Sequence, residues 1–144
     1  MGGPQAGYFA AGDSYPRRGP TLRDFADRRQ CSREILVNTQ ITLDELMVIL
    51  CAAVGFSDTE HLYTLGFAIP QWPDWMGVPE QYAHPYHAST IGAEPATQVT
   101  LADAAPKPGW RLYMRYDFGD DWRFHGRFHQ VPKRVAPALW AHAG

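Results

Sequence analysis

Between Trp110 and Val131 the chain carries its strongest constraint: two runs of alternating apolar and polar residues joined through Phe118, Gly119, Asp120 and Asp121. Alternation with a period of two marks a strand with one buried face, and Gly beside Asp at a junction favours chain reversal. The pattern predicts a β-hairpin. Directly opposed residues of an antiparallel pair share a face, so the register can be chosen by matching like with like. A two-residue loop at Gly119 and Asp120 would set Met114 against His125 and Arg115 against Phe124, mixing both faces. Pairing Phe118 with Trp122 instead sets Tyr116 against Phe124, Met114 against Gly126 and Leu112 against Phe128, a coherent apolar face. The other face then pairs Asp117 with Arg123, Arg115 with His125, Tyr113 with Arg127, and Arg111 with His129.

That second face is a cationic strip in a chain whose formal net charge is −2. Two readings stand. Arginine is common on the solvated face of an antiparallel sheet and needs no ligand there. Alternatively, an anion lying across Arg111, Arg115 and Arg127 would receive charge-assisted hydrogen bonds, with Tyr113, Arg123 and His129 as neighbouring ligand-binding candidates. Trp110, Trp122 and Phe124 fall on the apolar face and read as core anchors.

Upstream, Glu34 to Val37 is short and β-prone, and Asn38 to Gln40 break it. Thr42 with Glu45 three residues later forms a capping box, and Leu43, Leu46, Met47, Leu50, Ala53 and Val54 recur at helical spacing up to Gly55. Cys51 lies inside this helix with no basic residue within a turn, so it reads as a small buried hydrophobe. His61 to Ile69 reads as a strand ended by Pro70. Thr100 to Asp103 repeats the capping signal, but Pro106 and Pro108 limit that helix to about one turn.

Residues 1–20 are rich in Gly and Pro, which predicts a flexible arm, and Thr21 to Arg29 could form a short helix within the most basic segment of the chain. Residues 1–30 are therefore expected as a flexible basic arm and 31–144 as the folded domain. From Pro70 to Pro95 no period is sustained, and Trp72, Trp75, Tyr82, Tyr86, His84 and His87 are strewn among prolines. A loop this long and aromatic is expected to be a lid, a binding loop or a contact surface, with Trp72 and Trp75 touching something outside. His84 and His87 have H-x-x-H spacing, but Pro85 between them argues for a loop, and with only Glu80 as a third ligand no metal site is expected.

Composition narrows the class. A chain of 144 residues with 45% hydrophobic content supports one core, and 19% charged residues without a basic excess argue against a dedicated nucleic-acid binder. Cys31 and Cys51 form no disulfide or metal pattern. Met1 to Ala11 lacks the layout of a secretory signal and no run approaches membrane-spanning length, so a cytoplasmic protein without membrane contact is expected.

The run Tyr116, Asp117, Phe118, Gly119, Asp120, Asp121, Trp122, Arg123 and Phe124 resembles the hallmark of the plasmid pRiA4b ORF-3-like family. Thr42-Leu43 opening a helix that ends near Gly55-Phe56, followed by Asp58, His61, Leu62 and Tyr63, is similar to the family's upstream elements in the same order. Phe56 stands where the family usually has tryptophan. The resemblance covers about residues 33–131. It implies an α+β fold: a single compact domain with a mixed, largely antiparallel sheet, one main helix packed on it and a prominent C-terminal β-hairpin. Such proteins occur on plasmids and as passengers of an insertion sequence, under a label suggesting a resolvase. A recombinase, however, needs a nucleophile and an arginine-rich phosphate pocket in a catalytic domain that is not recognisable in this chain.

Asp117, Asp120 and Asp121 with His61 form the carboxylate and imidazole set that both hairpin and resemblance single out. The plainer reading has Asp120 and Asp121 shaping the turn while Asp117 pairs with Arg123. Three functional readings remain open. The first is a non-catalytic binding or interaction domain engaging an anionic or protein partner. The second is a small enzyme acting on an anionic molecule, with His61, Asp117, Asp121 or His125 in acid/base roles and arginine anchoring the substrate. The third is weak DNA binding. No cofactor is expected under any of them, and a homo-oligomer is compatible with all three.

Overall fold

The computed structural model describes residues 6–16 and 33–130. These form β1 (Ala6–Pro16), β2 (Arg33–Asn38), α1 (Leu43–Ala53), β3 (Tyr63–Ala68), β4 (Tyr82–Ala83), α2 (Pro85–Ile91), β5 (Glu94–Pro95), α3 (Leu101–Ala104), β6 (Arg111–Tyr116) and β7 (Trp122–Gln130). The strands make one sheet in the order β2-β1-β7-β6-β3-β4-β5. Every pairing is antiparallel except β4 with β5, so the fold is α+β with a mixed, largely antiparallel sheet. Among the described residues no helix is long and apolar enough to cross a membrane.

Helix α1 begins where the capping box predicts. The Glu45 N–H donates to Thr42 Oγ1 at 3.1 Å, and the Thr42 N–H donates to Glu45 Oε1 at 3.3 Å. Its apolar stripe, Leu43, Leu46, Met47, Leu50 and Cys51, is buried against Leu65, Leu112, Met114, Tyr116 and Phe124 of the central strands. Burial pushes the Cys51 thiol up to about 12, consistent with a packing role. Tyr63, also buried there, donates its hydroxyl to Asp44 Oδ1 at 2.5 Å and ties the helix's first turn to β3.

The hairpin pairs two residues away from the expected register. Tyr116 opposes Trp122, Met114 opposes Phe124, Leu112 opposes Gly126, and arginine meets arginine at Arg115–Arg123 and Arg111–Arg127. A shift of two keeps every side chain of the paired residues on its expected face, because strand faces alternate with period two. The cause lies in the loop. Asp117 and Asp121 both take left-handed backbone (φ 58° each), and the Asp121 N–H donates to the Asp117 carbonyl at 2.6 Å. This closes a five-residue connection that removes Phe118 from the ladder.

Two further expectations are corrected. Residues 6–16, read from composition as part of a flexible arm, form β1, hydrogen-bonded between β2 and β7 with an irregularity between Ala11 and Ser14. Strand β7 is longer than β6, and the backbone groups on its outer side require partners that composition does not reveal. The expected helix from Thr21 to Arg29 lies outside the described residues, as does Cys31. Between 70 and 95, where no structure was expected, lie two short strands and α2. Pro85 opens that helix at its first position with His84 as N-cap, where a missing N–H costs nothing.

Strand β3 is buried on both faces. Its inner face meets α1, while the chain from Pro70 to Gln81 folds over the other face. Gln81 Oε1 accepts the Phe67 N–H at 2.9 Å, extending with a side chain the ladder that the two-residue β4 cannot reach. Gly66 lies beneath this crossing, and a Cβ there would overlap the Pro79 carbonyl oxygen. Gly66→Ala should therefore force the Pro79 backbone away and lower stability by about 1–3 kcal/mol, read as a reduced urea midpoint. An unchanged midpoint would show that the crossing is not held in contact.

Candidate functional site

Where the 70–81 segment crosses the sheet it leaves an open cleft of about 460 Å³, with Arg115 and Arg123 beneath and Trp72, Met76, Val78, Pro79 and Glu80 along its sides. Strands β6 and β7 place the two arginines directly opposite each other. Like charges in that position repel. Asp121 resolves the conflict: its Oδ1 accepts from Arg115 Nε at 2.7 Å and from Arg123 Nε at 2.9 Å, and its Oδ2 accepts from Arg123 Nη2 at 3.1 Å. Partial burial pushes the Asp121 carboxyl up, but the hydrogen bonds from Arg123 and Arg115 outweigh it and hold the pKa below the usual carboxylate value.

The Arg115 guanidinium also lies over the Phe118 ring, 4.6 Å from its centroid, and Phe118 is in turn packed edge-on with His87 of α2 at 5.0 Å. Two guanidiniums are thereby fixed in direction, each with terminal N–H groups not engaged among the described residues. On the wall, Trp72 donates its indole N–H to the Gly77 carbonyl at 2.9 Å, so the ring rather than a polar edge is what it offers. Trp75, two residues beyond Pro73, is 84% exposed and does not line the cleft.

The sequence-derived candidates thus separate into three places. Trp72, Arg115 and Arg123 meet in the cleft, with Asp121 as their organiser. Further along the same face, Arg111 Nη1 approaches the Tyr113 hydroxyl at 3.4 Å, and His125 packs against the Tyr113 ring at 5.0 Å. Arg127 and His129 are exposed beyond them. His61 belongs to a third group at the loop end, with Nε2 2.9 Å from Asp58 Oδ2 and Nδ1 3.8 Å from Asp117 Oδ2. The Glu60 N–H and the His61 ring hold the Asp58 carboxyl below its usual pKa. This strap is anchored to the sheet through Tyr116, whose hydroxyl donates to the Asp58 carbonyl at 2.7 Å, and through the Asp117 N–H, which donates to the Leu62 carbonyl at 2.9 Å.

The expected Asp117–Arg123 pair does not form; Asp121 takes that arginine because the loop turns Asp117 towards His61. His61, Asp117, Asp121 and His125 therefore do not assemble as one acid/base set. Met76, Val78, Pro79 and Glu80 were not anticipated as cleft residues, although Gly66 in mid-strand is a sequence signal for a close backbone approach.

Against this geometry, the sequence model of the plasmid pRiA4b ORF-3-like proteins matches residues 21–141. The chain belongs to the plasmid pRiA4b ORF-3-like family. Among solved structures it is similar to the crystal structure of a protein of unknown function, MM3350, from Methanosarcina mazei Go1, with a TM-score of 0.57 and 17% identity. That alignment covers 92% of this chain and 65% of the archaeal one, and it shows a shared fold. No curated protein matches the chain. The run from Tyr116 to Phe124 comprises the closing pair, the loop with its two left-handed aspartates, and the Asp121–Arg123 half of the clamp.

Asp121→Asn tests the clamp, since asparagine tolerates left-handed backbone while the charge and one of the two acceptor oxygens are removed. A carboxylate with a depressed folded-state pKa stabilises above its unfolded value of about 3.9 and loses that contribution as pH falls through the folded value. The wild type should lose stability on acidification below about pH 4. The variant should be about 1–3 kcal/mol less stable at pH 7 and should decline less steeply over the acid range in urea titrations. Parallel acid limbs would rule the clamp out as a stabilising charge pair.

Proposed function

We propose that this protein is a non-catalytic binding domain that receives an anionic group on Arg115 and Arg123 in the cleft beneath the 70–81 segment. One observation carries the reading: a single carboxylate, Asp121, holds two directly opposed guanidiniums in fixed orientation, and together they leave one net positive charge. Guanidiniums whose direction is already set lose little freedom on binding an oxyanion, and charge-assisted hydrogen bonds are about twice as strong as neutral ones. The partial burial of both arginines, with side chains 32% and 20% exposed, keeps the site less screened than a surface pair. The acid/base candidates favour binding over chemistry, because Asp121 is committed as an acceptor and His61 is paired with Asp58 outside the cleft.

Thermal-shift measurements with sulfate, inorganic phosphate and small carboxylates test the reading. A ligand at one hundred times its Kd should raise Tm by at least about 5 °C. The rise should diminish with added salt, disappear in Arg115→Ala and Arg123→Ala, and persist in Arg127→Ala, which alters the same face outside the cleft. A response that depends on Arg127 rather than Arg115 would sink the proposal, as would no response to any anion.

A further inference from the structure

Resting on the proposal that the cleft takes an anionic group, the chemistry of its walls points to a narrower class. We infer that the ligand is a free α-amino acid with a large apolar or aromatic side chain, its carboxylate on Arg115 and Arg123, its ammonium on Glu80, and its side chain against Trp72, Val78 and Pro79.

Charge is the first argument. The two arginines contribute +2, and Asp121 bound between them with Glu80 on the cleft side contributes −2, so the site sums to zero while remaining sharply divided into a cationic floor and an anionic side. A phosphate dianion or a nucleotide would satisfy the floor and be repelled by Glu80, whereas a zwitterion uses both poles and brings no net charge. Glu80 is exposed, and no hydrogen bond or ion pair engages its carboxylate among the described residues, so it is available as an acceptor. The second argument is the wall between the poles. The Trp72 indole N–H is already satisfied by Gly77, and Met76, Val78 and Pro79 line the same cleft, so apolar side chains are available to the body of a ligand whose charged ends engage the arginines and Glu80. The third is size. A volume of about 460 Å³ lies within the 300–1,000 Å³ typical of small-molecule sites and has room for one amino acid.

Titration calorimetry on the full chain with L-phenylalanine, L-leucine, N-acetyl-L-phenylalanine, L-phenylalaninamide and inorganic phosphate separates the possibilities. The free amino acids should bind. N-acetylation, which removes the ammonium but keeps the carboxylate, should weaken binding at least about tenfold, and the amide, which lacks the carboxylate, should fail to bind. In Glu80→Gln, the preference for phenylalanine over its N-acetyl form should vanish, with phenylalanine binding more weakly and the N-acetyl anion, no longer facing a carboxylate, binding no more weakly than before. If N-acetyl-L-phenylalanine or phosphate binds the wild type as well as phenylalanine does, the amino-acid assignment is overturned and the anion reading survives. If no compound binds, both fall. These comparisons use the native protein, so they do not depend on whether Arg115→Ala folds.

Discussion

At the loop end of the β6–β7 ladder Arg115 and Arg123 face each other, and Asp121 bridges the two guanidiniums from the end of the connecting loop. The interaction fixes more than a charge pair. It requires Asp121 to curl back over β6 and β7 in left-handed backbone, which goes with the five-residue loop and hence with the register of the hairpin. That register sets Tyr116 opposite both Trp122 and Tyr63 and puts Met114 beside Phe124 and Leu65, the centre of the core. The same carboxylate that bridges the ladder therefore aligns the apolar layer on one face and orients two cations on the other.

The two faces of the sheet are finished by different means. On the inner face, α1 supplies Leu43, Leu46, Met47 and Leu50, and the Tyr63–Asp44 hydrogen bond fixes where the helix sits. On the outer face the described residues supply no long helix, and the 70–81 segment covers β3 by close backbone approach at Gly66 and by the Gln81 side chain bonded to Phe67. A crossing segment held at those two points cannot lie flat over the neighbouring arginines of β6 and β7. The cleft is the space that results, with one wall irregular and aromatic and the other regular and cationic.

Much of this was legible in residue patterns, and the misses share a cause. The capping box at Thr42 and Glu45, the apolar stripe of α1 and the two faces of the hairpin depend on neighbours within a few positions, and all appear as read. The hairpin register did not, because matching like with like scores the two strands alone, whereas the loop conformation and the pairing of β6 with β3 decide among registers two residues apart. Pro85 was read as a breaker and is a helix opener, since its effect depends on whether it occupies the first turn or a later one. Residues 6–16 carry a weak local signal and become a strand through the backbone groups of β7. In the site, Arg115, Arg123 and Trp72 are recognisable by chemistry, whereas local patterns offer Asp121 only as a turn residue or an acid/base candidate and Glu80 only as an insufficient third metal ligand, because their partners are set by folding.

Periodicity and caps act over a few residues, so local patterns suffice to show which residues can be buried, which strand face is cationic and where the main helix starts. The same residue patterns, from the Thr42 helix to the hairpin, resemble the family whose model matches residues 21–141. Only the folded chain settles which carboxylate meets which arginine, what covers the outer face at Gly66, and that Trp72 and Glu80 share a cleft with Arg115 and Arg123, 35 to 51 positions further along the chain. Those choices follow from loop closure and from the requirement that every buried strand edge and face find a partner, conditions that no stretch of the chain can satisfy alone.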